Sequence, residues 1–433
     1  MNRRLLEDYL LEFRKSEFPS LVPRELEAEP DASRITAIIG PRRAGKTYYF
    51  YQLAKEKGKE KCLYLNFEDT RLFGMDFRGI REAVRVSVEL FGSEPEYILL
   101  DEVQAVDGWE VAVRELHDRR KYAIMVTGSS SRLLSKEVAT QLRGRGVSYL
   151  LLPFSFREFL RARGLPAERT GLTMDEEAKA RNLLREYLDF GGFPQVVLET
   201  VSEADRLRLL RGYSEMILYK DVVERHGVRN LHLSSAIFRQ LASGFSAEFS
   251  VNKMYNHFRS QGVSLSKDTL HKYLGLFEDS AGIFFLRRHS PKARLRESWP
   301  RKAYLCDTGL ARVWRGAGGE GDGGDMGRLM ENAVFLELMR RGNGRPLQDL
   351  HYWHDAQGEV DFVVSEGGNA TALLQVTYAT SGGDMKAREL KALLRAGEEL
   401  RCRRLEVVTW SFEGVEDHKK TEVTFTPLWK FLM

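Results

Sequence analysis

The chain has 433 residues, 43% hydrophobic, 30% charged and 11% aromatic, which excludes a disordered, collagen-like or low-complexity chain and, at this length, predicts two or three domains. Lys and Arg number 66 against 62 Asp and Glu, a formal net charge of +4; this permits a basic patch but is not the bias of a dedicated nucleic-acid binder. No apolar run reaches the length that crosses a bilayer, the opening Met1–Asp8 lacks the apolar stretch of a secretion signal, and Cys62, Cys306 and Cys402 cannot form a disulfide framework or a paired metal site, so the expected setting is the reducing cytoplasm, without a membrane partner.

Residues 1–30 read as an amphipathic helix and a loop carrying Pro19, Pro23 and Pro30. From 31 to 165, apolar runs alternate with helical patterns: Ile35–Ile39, Cys62–Phe67, Tyr97–Leu100, Ala123–Thr127 and Val147–Leu152. Runs this continuous predict strands buried on both faces of a parallel sheet, hence an α/β core. Residues 166–230 read as helical, broken at Gly191-Gly192-Phe193-Pro194 and Gly227. Residues 231–300 suggest a winged helix, and 301–433 return to mixed helix and strand after a Gly-rich loop at Gly316–Gly327. No internal repeat is found.

The first chemical signal is Gly40-Pro41-Arg42-Arg43-Ala44-Gly45-Lys46-Thr47, a match to G-x-x-x-x-G-K-[ST] with a chance probability of about 1–2% in a chain this long. A strand enters it and a helix leaves it, the context a phosphate-binding loop requires. Glycines let backbone N–H groups close around phosphate oxygens, and the helix start adds partial positive charge. Lys46 supplies a point charge for the β/γ oxygens, Thr47 a hydroxyl for Mg²⁺, and Tyr48 closes the expected nucleotide contacts.

Next, the strand Tyr97–Leu100 ends in Asp101-Glu102 at the sheet edge where ligands bind. Asp101 is expected to hold Mg²⁺ and Glu102 to polarise the attacking water. A further strand ends in Thr127-Gly128-Ser129-Ser130-Ser131; Thr127 or Ser129 could orient the water or touch the γ-phosphate, or a serine could simply cap the following helix. In Gln141-Leu142-Arg143-Gly144-Arg145-Gly146, Arg143 or Arg145 is a candidate arginine finger for a neighbouring subunit's site, Arg145 being favoured, with surface basicity as the alternative.

These motifs, with Asp101-Glu102-Val103-Gln104 and Leu152-Pro153-Phe154-Ser155-Phe156-Arg157-Glu158-Phe159, make the stretch Ile38–Phe159 resemble the AAA+-type P-loop ATPases of archaea and bacteria that carry a C-terminal domain of uncharacterised function. Gly191-Gly192-Phe193-Pro194, Tyr219-Lys220-Asp221-Val222 and Tyr304-Leu305-Cys306-Asp307-Thr308-Gly309-Leu310 extend the resemblance over nearly the whole chain. It implies a Mg²⁺-dependent ATP-hydrolysing motor or switch, a helical lid over 166–230 and assembly as a homo-oligomer.

In the middle segment, Ser250–Gly262 and Lys267–Ala281 read as two helices, with Ser266 as N-cap. Lys267, His271 and Lys272 could meet DNA, and Arg287, Arg288, Lys292, Arg294, Arg296, Arg301 and Lys302 form a second basic cluster. The alternative is a packing module. The C-terminal segment is similar to the PD-(D/E)XK restriction-endonuclease-like fold. Glu331, Asp361 and Gln375 fall on that family's metal-site positions, but Thr377 stands where its lysine belongs. Lys386 is the substitute candidate, and the neutral Gln375 weakens metal binding. Three readings result: an ATPase acting on DNA, an ATP-gated nuclease using Glu331 and Asp361, and a nucleotide-switched scaffold for protein partners.

Overall fold

Five short strands form one parallel sheet in the order β2-β3-β4-β1-β5, where β1 is Ile35–Ile39, β2 Cys62–Asn66, β3 Tyr97–Asp101, β4 Ala123–Gly128 and β5 Gly146–Leu150. Every residue of β1 and β4 is buried, as their largely apolar, uncharged runs require. The chain leaves β1 for the far edge at β2, works back to β4, and places β5 on the other side of β1. The carboxyl end of β1 therefore lies where the strand order reverses, the place where open α/β sheets take their ligands.

This computed structural model describes residues 2–128, 144–168, 171–199, 202–228, 230–290, 292, 296, 299–314, 323–343, 348–381, 387–418 and 421–433. The chain separates into two units, Met1–Leu151 and Leu152–Met433. Among its described residues, the first contains the parallel sheet and the α-helices Arg3–Lys15, Lys46–Lys57, Phe77–Phe91 and Trp109–Asp118. The N-terminal helix buries Leu6, Tyr9 and Leu10 on one face, each burial stabilising by roughly 1.5–3 kcal/mol. Helix Phe77–Phe91 is capped by Asp76, which accepts from the Arg78 and Gly79 N–H groups, and stops at Gly92 in the left-handed region.

In the second unit, helices Leu231–Ser243, Val251–Ser260 and Lys267–Asp279 accompany a three-stranded antiparallel sheet, β6-β8-β7, with β6 Glu248–Phe249, β7 Ile283–Arg287 and β8 Arg301–Leu305. Ser266 caps its helix by accepting from the Thr269 N–H. A mixed sheet follows in the order β13-β14-β12-β11-β10-β9, built from β9 Gln348–His354, β10 Glu359–Glu366, β11 Asn369–Thr377, β12 Leu405–Thr409, β13 Gly414–His418 and β14 Thr421–Pro427. The β9–β10 turn is made by Asp355, whose carboxylate accepts from the Gln357 and Gly358 N–H groups and pairs with Arg395.

The segments Gly191-Gly192-Phe193-Pro194 and Asp307-Thr308-Gly309 meet in one buried node. Asp307 accepts from the Gly192 and Gly309 N–H groups at 2.7 and 2.9 Å. A Cβ at Gly191 would lie 1.7 Å from Asp307 Oδ1, and one at Gly309 would lie 2.3 Å from the Phe190 carbonyl oxygen. Among the described residues no helix is long and apolar enough to cross a membrane.

Candidate functional site

The 40–47 loop leaves β1 through Gly40, where a Cβ would stand 2.0 Å from the Leu151 carbonyl oxygen. Arg43 (φ 65°) and Gly45 (φ 96°) take left-handed conformations, which curl the loop before helix Lys46–Lys57 begins. No side chain caps that helix, so its first turn presents backbone donors and the positive end of its dipole. Lys46 is 5% exposed. Its ammonium donates to the Gly40 and Pro41 carbonyls, each at 3.2 Å, and lies 3.4 Å from Glu102 Oε1. Arg24, from the N-terminal segment, is also buried and donates to the Ala44 carbonyl at 2.7 Å.

The two acids at the end of β3 join the same site. Asp101 is fully buried and accepts from Tyr64 Oη at 2.9 Å and from the hydroxyls of Thr127 and Thr47. Burial raises its pKa, while the Thr127 and Thr47 hydrogen bonds act against that rise. Burial also pushes Glu102 upward, but the Lys46 charge, the Gln104 amide and Arg42 outweigh it, so Glu102 is held below its ordinary value and stays ionised. Glu102 sits at φ 51° and ψ 47°, uncommon for a non-glycine residue. Thr127 accepts from the Glu102 N–H at 2.9 Å while donating to Asp101, so one hydroxyl ties both acids together. Lys46, Thr47, Asp101, Glu102 and Thr127 thus form one constellation.

A family model described as an AAA domain matches residues 32–160, and two described as domains of unknown function, DUF8612 and DUF4143, match 181–320 and 326–431. An uncharacterized protein of Methanocaldococcus jannaschii is 33% identical over 417 residues, 95% of this chain and 91% of its own length. The chain belongs to this family of AAA+-type P-loop ATPases with C-terminal domains of unknown function. A second family member, an uncharacterized protein of Haemophilus influenzae, is 31% identical over 343 residues, covering 77% of this chain and 80% of its own. A Walker-type ATPase of Pyrococcus abyssi aligns in structure with a TM-score of 0.40 at 16% identity, over 72% of this chain and 94% of the other.

The remaining expected site residues of this family member are distributed differently. Tyr48 is exposed and tilted against Tyr51, Arg43 is exposed, and Arg42 lies 3.5 Å from Glu68. Arg145 precedes β5 at the amino end of the sheet, its carbonyl accepting from the Ile35 N–H and its side chain pairing with Asp118 at 3.1 Å. Five residues of strand, about 17 Å, separate it from the carboxyl edge, so it does not reach the site of its own chain. Ser129, Arg143 and Lys386 lie outside the described residues. Arg24, Tyr64 and the role of Gln104 had no local sequence signal beyond the last one's place beside Glu102.

The second unit brings Glu331, Asp361 and Gln375 together around a residue that sequence spacing did not select. Lys302, on β8, is 2% exposed. Its ammonium lies 2.8 Å from Asp361 Oδ1, 3.0 Å from Glu331 Oε1 and 3.7 Å from Glu359 Oε1. Burial alone would lower its pKa, but Asp361, Glu331 and Glu359 outweigh it and hold Lys302 well above the ordinary lysine value. Burial and the neighbouring Asp361 charge push Glu331 up to about 8. Lys302 and the 9%-exposed Arg301 therefore leave the basic surface cluster expected over 287–302. Arg288 donates to the His354 carbonyl and lies over the Trp299 ring. Among the described residues, no group of three His, Cys, Asp or Glu side chains is arranged to hold a metal ion.

Proposed function

We propose that this chain binds ATP with Mg²⁺, hydrolyses it, and uses the cycle as a motor or switch on DNA. The observation that carries the reading is the convergence of an uncapped helix start, Lys46, Thr47 and the Asp101-Glu102 pair at the carboxyl end of β1 and β3. The donor set fits the group: backbone N–H donors and an ammonium for phosphates, hydroxyl and carboxylate oxygens for a hard cation. Mg²⁺-ATP supplies the scissile phosphoanhydride and the charge that polarises it. Lys46 and the 40–47 loop would hold the phosphates, and Thr47 and Asp101 would hold the cation. Glu102, kept ionised by Lys46, is placed to take a proton from water, with Gln104 fixing its second oxygen. Thr127 positions both acids. Arg145, at the opposite edge of the sheet, would serve a neighbouring copy in a homo-oligomer.

The DNA half of the reading rests on the second unit, where we read helices Val251–Ser260 and Lys267–Asp279 with β6-β8-β7 as a winged helix. Lys253, His257, Arg259, Lys267, His271 and Lys272 are all exposed there, alongside Asp268, a face suited to phosphate contact.

The test is ATP turnover with and without single-stranded, duplex and branched DNA at graded salt. Lys46→Ala is expected to lose nucleotide binding or turnover, and Glu102→Gln to bind ATP without releasing product. Failure to take up ATP at millimolar concentration with Mg²⁺ would end the nucleotide reading. Normal turnover with no salt-dependent DNA binding would leave a scaffold for protein partners in place of the DNA motor.

A further inference from the structure

We infer that Lys302 is the resident cation of the carboxylate centre in the C-terminal module, so that this module holds its fold with an ammonium where a divalent ion would otherwise sit, and does not cut nucleic acid. The inference concerns a different centre from the ATP site and does not depend on it.

Glu331 comes from helix Gly323–Gly342, Glu359 and Asp361 from β10, and Lys302 from β8. Oxygens of the first three surround the ammonium at 3.0, 3.7 and 2.8 Å. The acids are not arranged to hold a metal ion as they stand, and the ammonium is the cation on which their oxygens converge. An ammonium at hydrogen-bond distance from those oxygens and a metal ion bound by them cannot share the space.

Two of the acids also accept from other donors of the chain. Asp361 Oδ2 accepts from Gln375 Nε2 at 2.7 Å and from the Val376 N–H at 3.0 Å. Glu331 Oε1 accepts from Tyr304 Oη at 2.6 Å. One group is left over: Gln375 Oε1 is buried and has no partner, although Gln375 is only 4% exposed. That orphan oxygen is a neutral hard donor beside Asp361.

The lysine is also fixed in place. β8 is hydrogen-bonded on both sides, to β6 and to β7. Asn332, next to Glu331, accepts from the Leu305 N–H at 2.9 Å and donates to the Leu305 carbonyl at 3.0 Å. This pair locks the register of β8 against the helix that carries Glu331. Lys302 is thus a permanent part of the centre.

Removing the charge should let the centre take up a divalent ion, because three acids would then lack their counter-charge. The experiment uses the full chain without nucleotide, Mn²⁺ in equilibrium dialysis and thermal melts, and Tb³⁺ luminescence sensitised through Tyr304. The wild-type chain is expected to show no Mn²⁺ site that Asp361→Asn removes, and no Mn²⁺- or Mg²⁺-dependent DNA cutting. Lys302→Met is expected to melt about 5–10 °C lower, to regain most of that loss in millimolar Mn²⁺, and to bind Tb³⁺. Adding Asp361→Asn should abolish both the recovery and the luminescence. Three results would each overturn the inference: a wild-type Mn²⁺ site or nuclease activity lost in Asp361→Asn, a Lys302→Met chain as stable as wild type without metal, or one destabilised but indifferent to Mn²⁺ and Tb³⁺. If Lys302→Met does not fold, the wild-type dialysis and cutting assays decide alone.

Discussion

The two units each bury a lysine among carboxylates, and the two lysines are treated in opposite ways. Lys46 touches two backbone carbonyls at 3.2 Å and one carboxylate at 3.4 Å, long contacts to partners a phosphate could replace. Lys302 has two carboxylates at 3.0 Å or less and a third at 3.7 Å, and the nearer two also accept from Tyr304, Gln375 and Val376. An ammonium held loosely beside a helix start has partners that a ligand could displace. One held tightly by its own chain has already found its counter-charge. Burial of a lysine therefore does not by itself mark a ligand site; what distinguishes the two is whether its partners are replaceable.

The comparison breaks or holds first on stability. Lys302→Met leaves buried carboxylates without their cation and is expected to cost about 3–5 kcal/mol, read as an earlier urea midpoint for the Leu152–Met433 unit. Lys46→Met, without nucleotide, should cost only about 1–2 kcal/mol, since Gln104 still satisfies Glu102. Equal losses would remove the distinction. So would a Lys46→Met chain that keeps its nucleotide affinity.

A second measure concerns the Asp307 node, where the second unit again satisfies a buried acid with its own backbone. Gly191 sits at φ 74° and ψ −164°, a region open essentially to glycine, and any Cβ would strike Asp307. Gly191→Ala is expected to cost about 2–4 kcal/mol, with nucleotide affinity unchanged. An alanine variant within experimental error of wild type in a denaturant titration would show that the node relaxes freely.

These cases also show what could be read from the chain before its structure. The phosphate loop was legible because its chemistry is contiguous: eight adjacent residues make the bend, the charge and the hydroxyl. Asp101 and Glu102 were legible because they end an apolar strand. The five strand runs were legible because burial on both faces leaves no charged residue within β1. Lys302 was not, since its partners lie 29 and 59 residues away and only the register of β8 against Glu331 and Asp361 brings them together. By composition it belongs with Arg287–Arg301 in one basic cluster. Thr377 stands where the resemblance expects a lysine, but no local pattern says that a cation enters from another sheet. Arg24 and Tyr64 were silent for the same reason, each reaching the site across the fold.

The pH response sharpens the comparison further. Burial raises Asp307 from an ordinary 3.8 to about 7, against the pull of its two N–H donors. Between those values the folded chain keeps a proton that the unfolded chain has released. The unfolded state then binds fewer protons, so stability falls as pH rises through this window and levels off above the folded pKa. The expected loss between pH 5 and 8 is roughly 1–3 kcal/mol. Asp307→Asn should flatten the pH 5–7 part of the unfolding-midpoint curve. An unchanged slope in that variant would show that Asp307 is ionised in the folded chain.

The smallest effect tests the same contrast at two helix starts. Helix Lys46–Lys57 opens at Gly45 with no side-chain cap, whereas helix Phe156–Ala162 opens with a complete capping box. There Ser155 accepts from the Glu158 N–H at 3.1 Å, and Glu158 accepts from the Ser155 N–H at 2.9 Å. The capped start has its donors answered by its own chain, and the bare one keeps them for a phosphate. Ser155→Ala is therefore expected to cost about 1 kcal/mol, independent of added ATP. The bare helix should respond only to ligand: Mg²⁺-ATP should raise the melting midpoint of wild type and leave that of Lys46→Met unmoved. An ATP-dependent shift of equal size in both would mean that the helix start and its loop bind phosphate without the lysine, and that the ammonium serves the acids beside it instead.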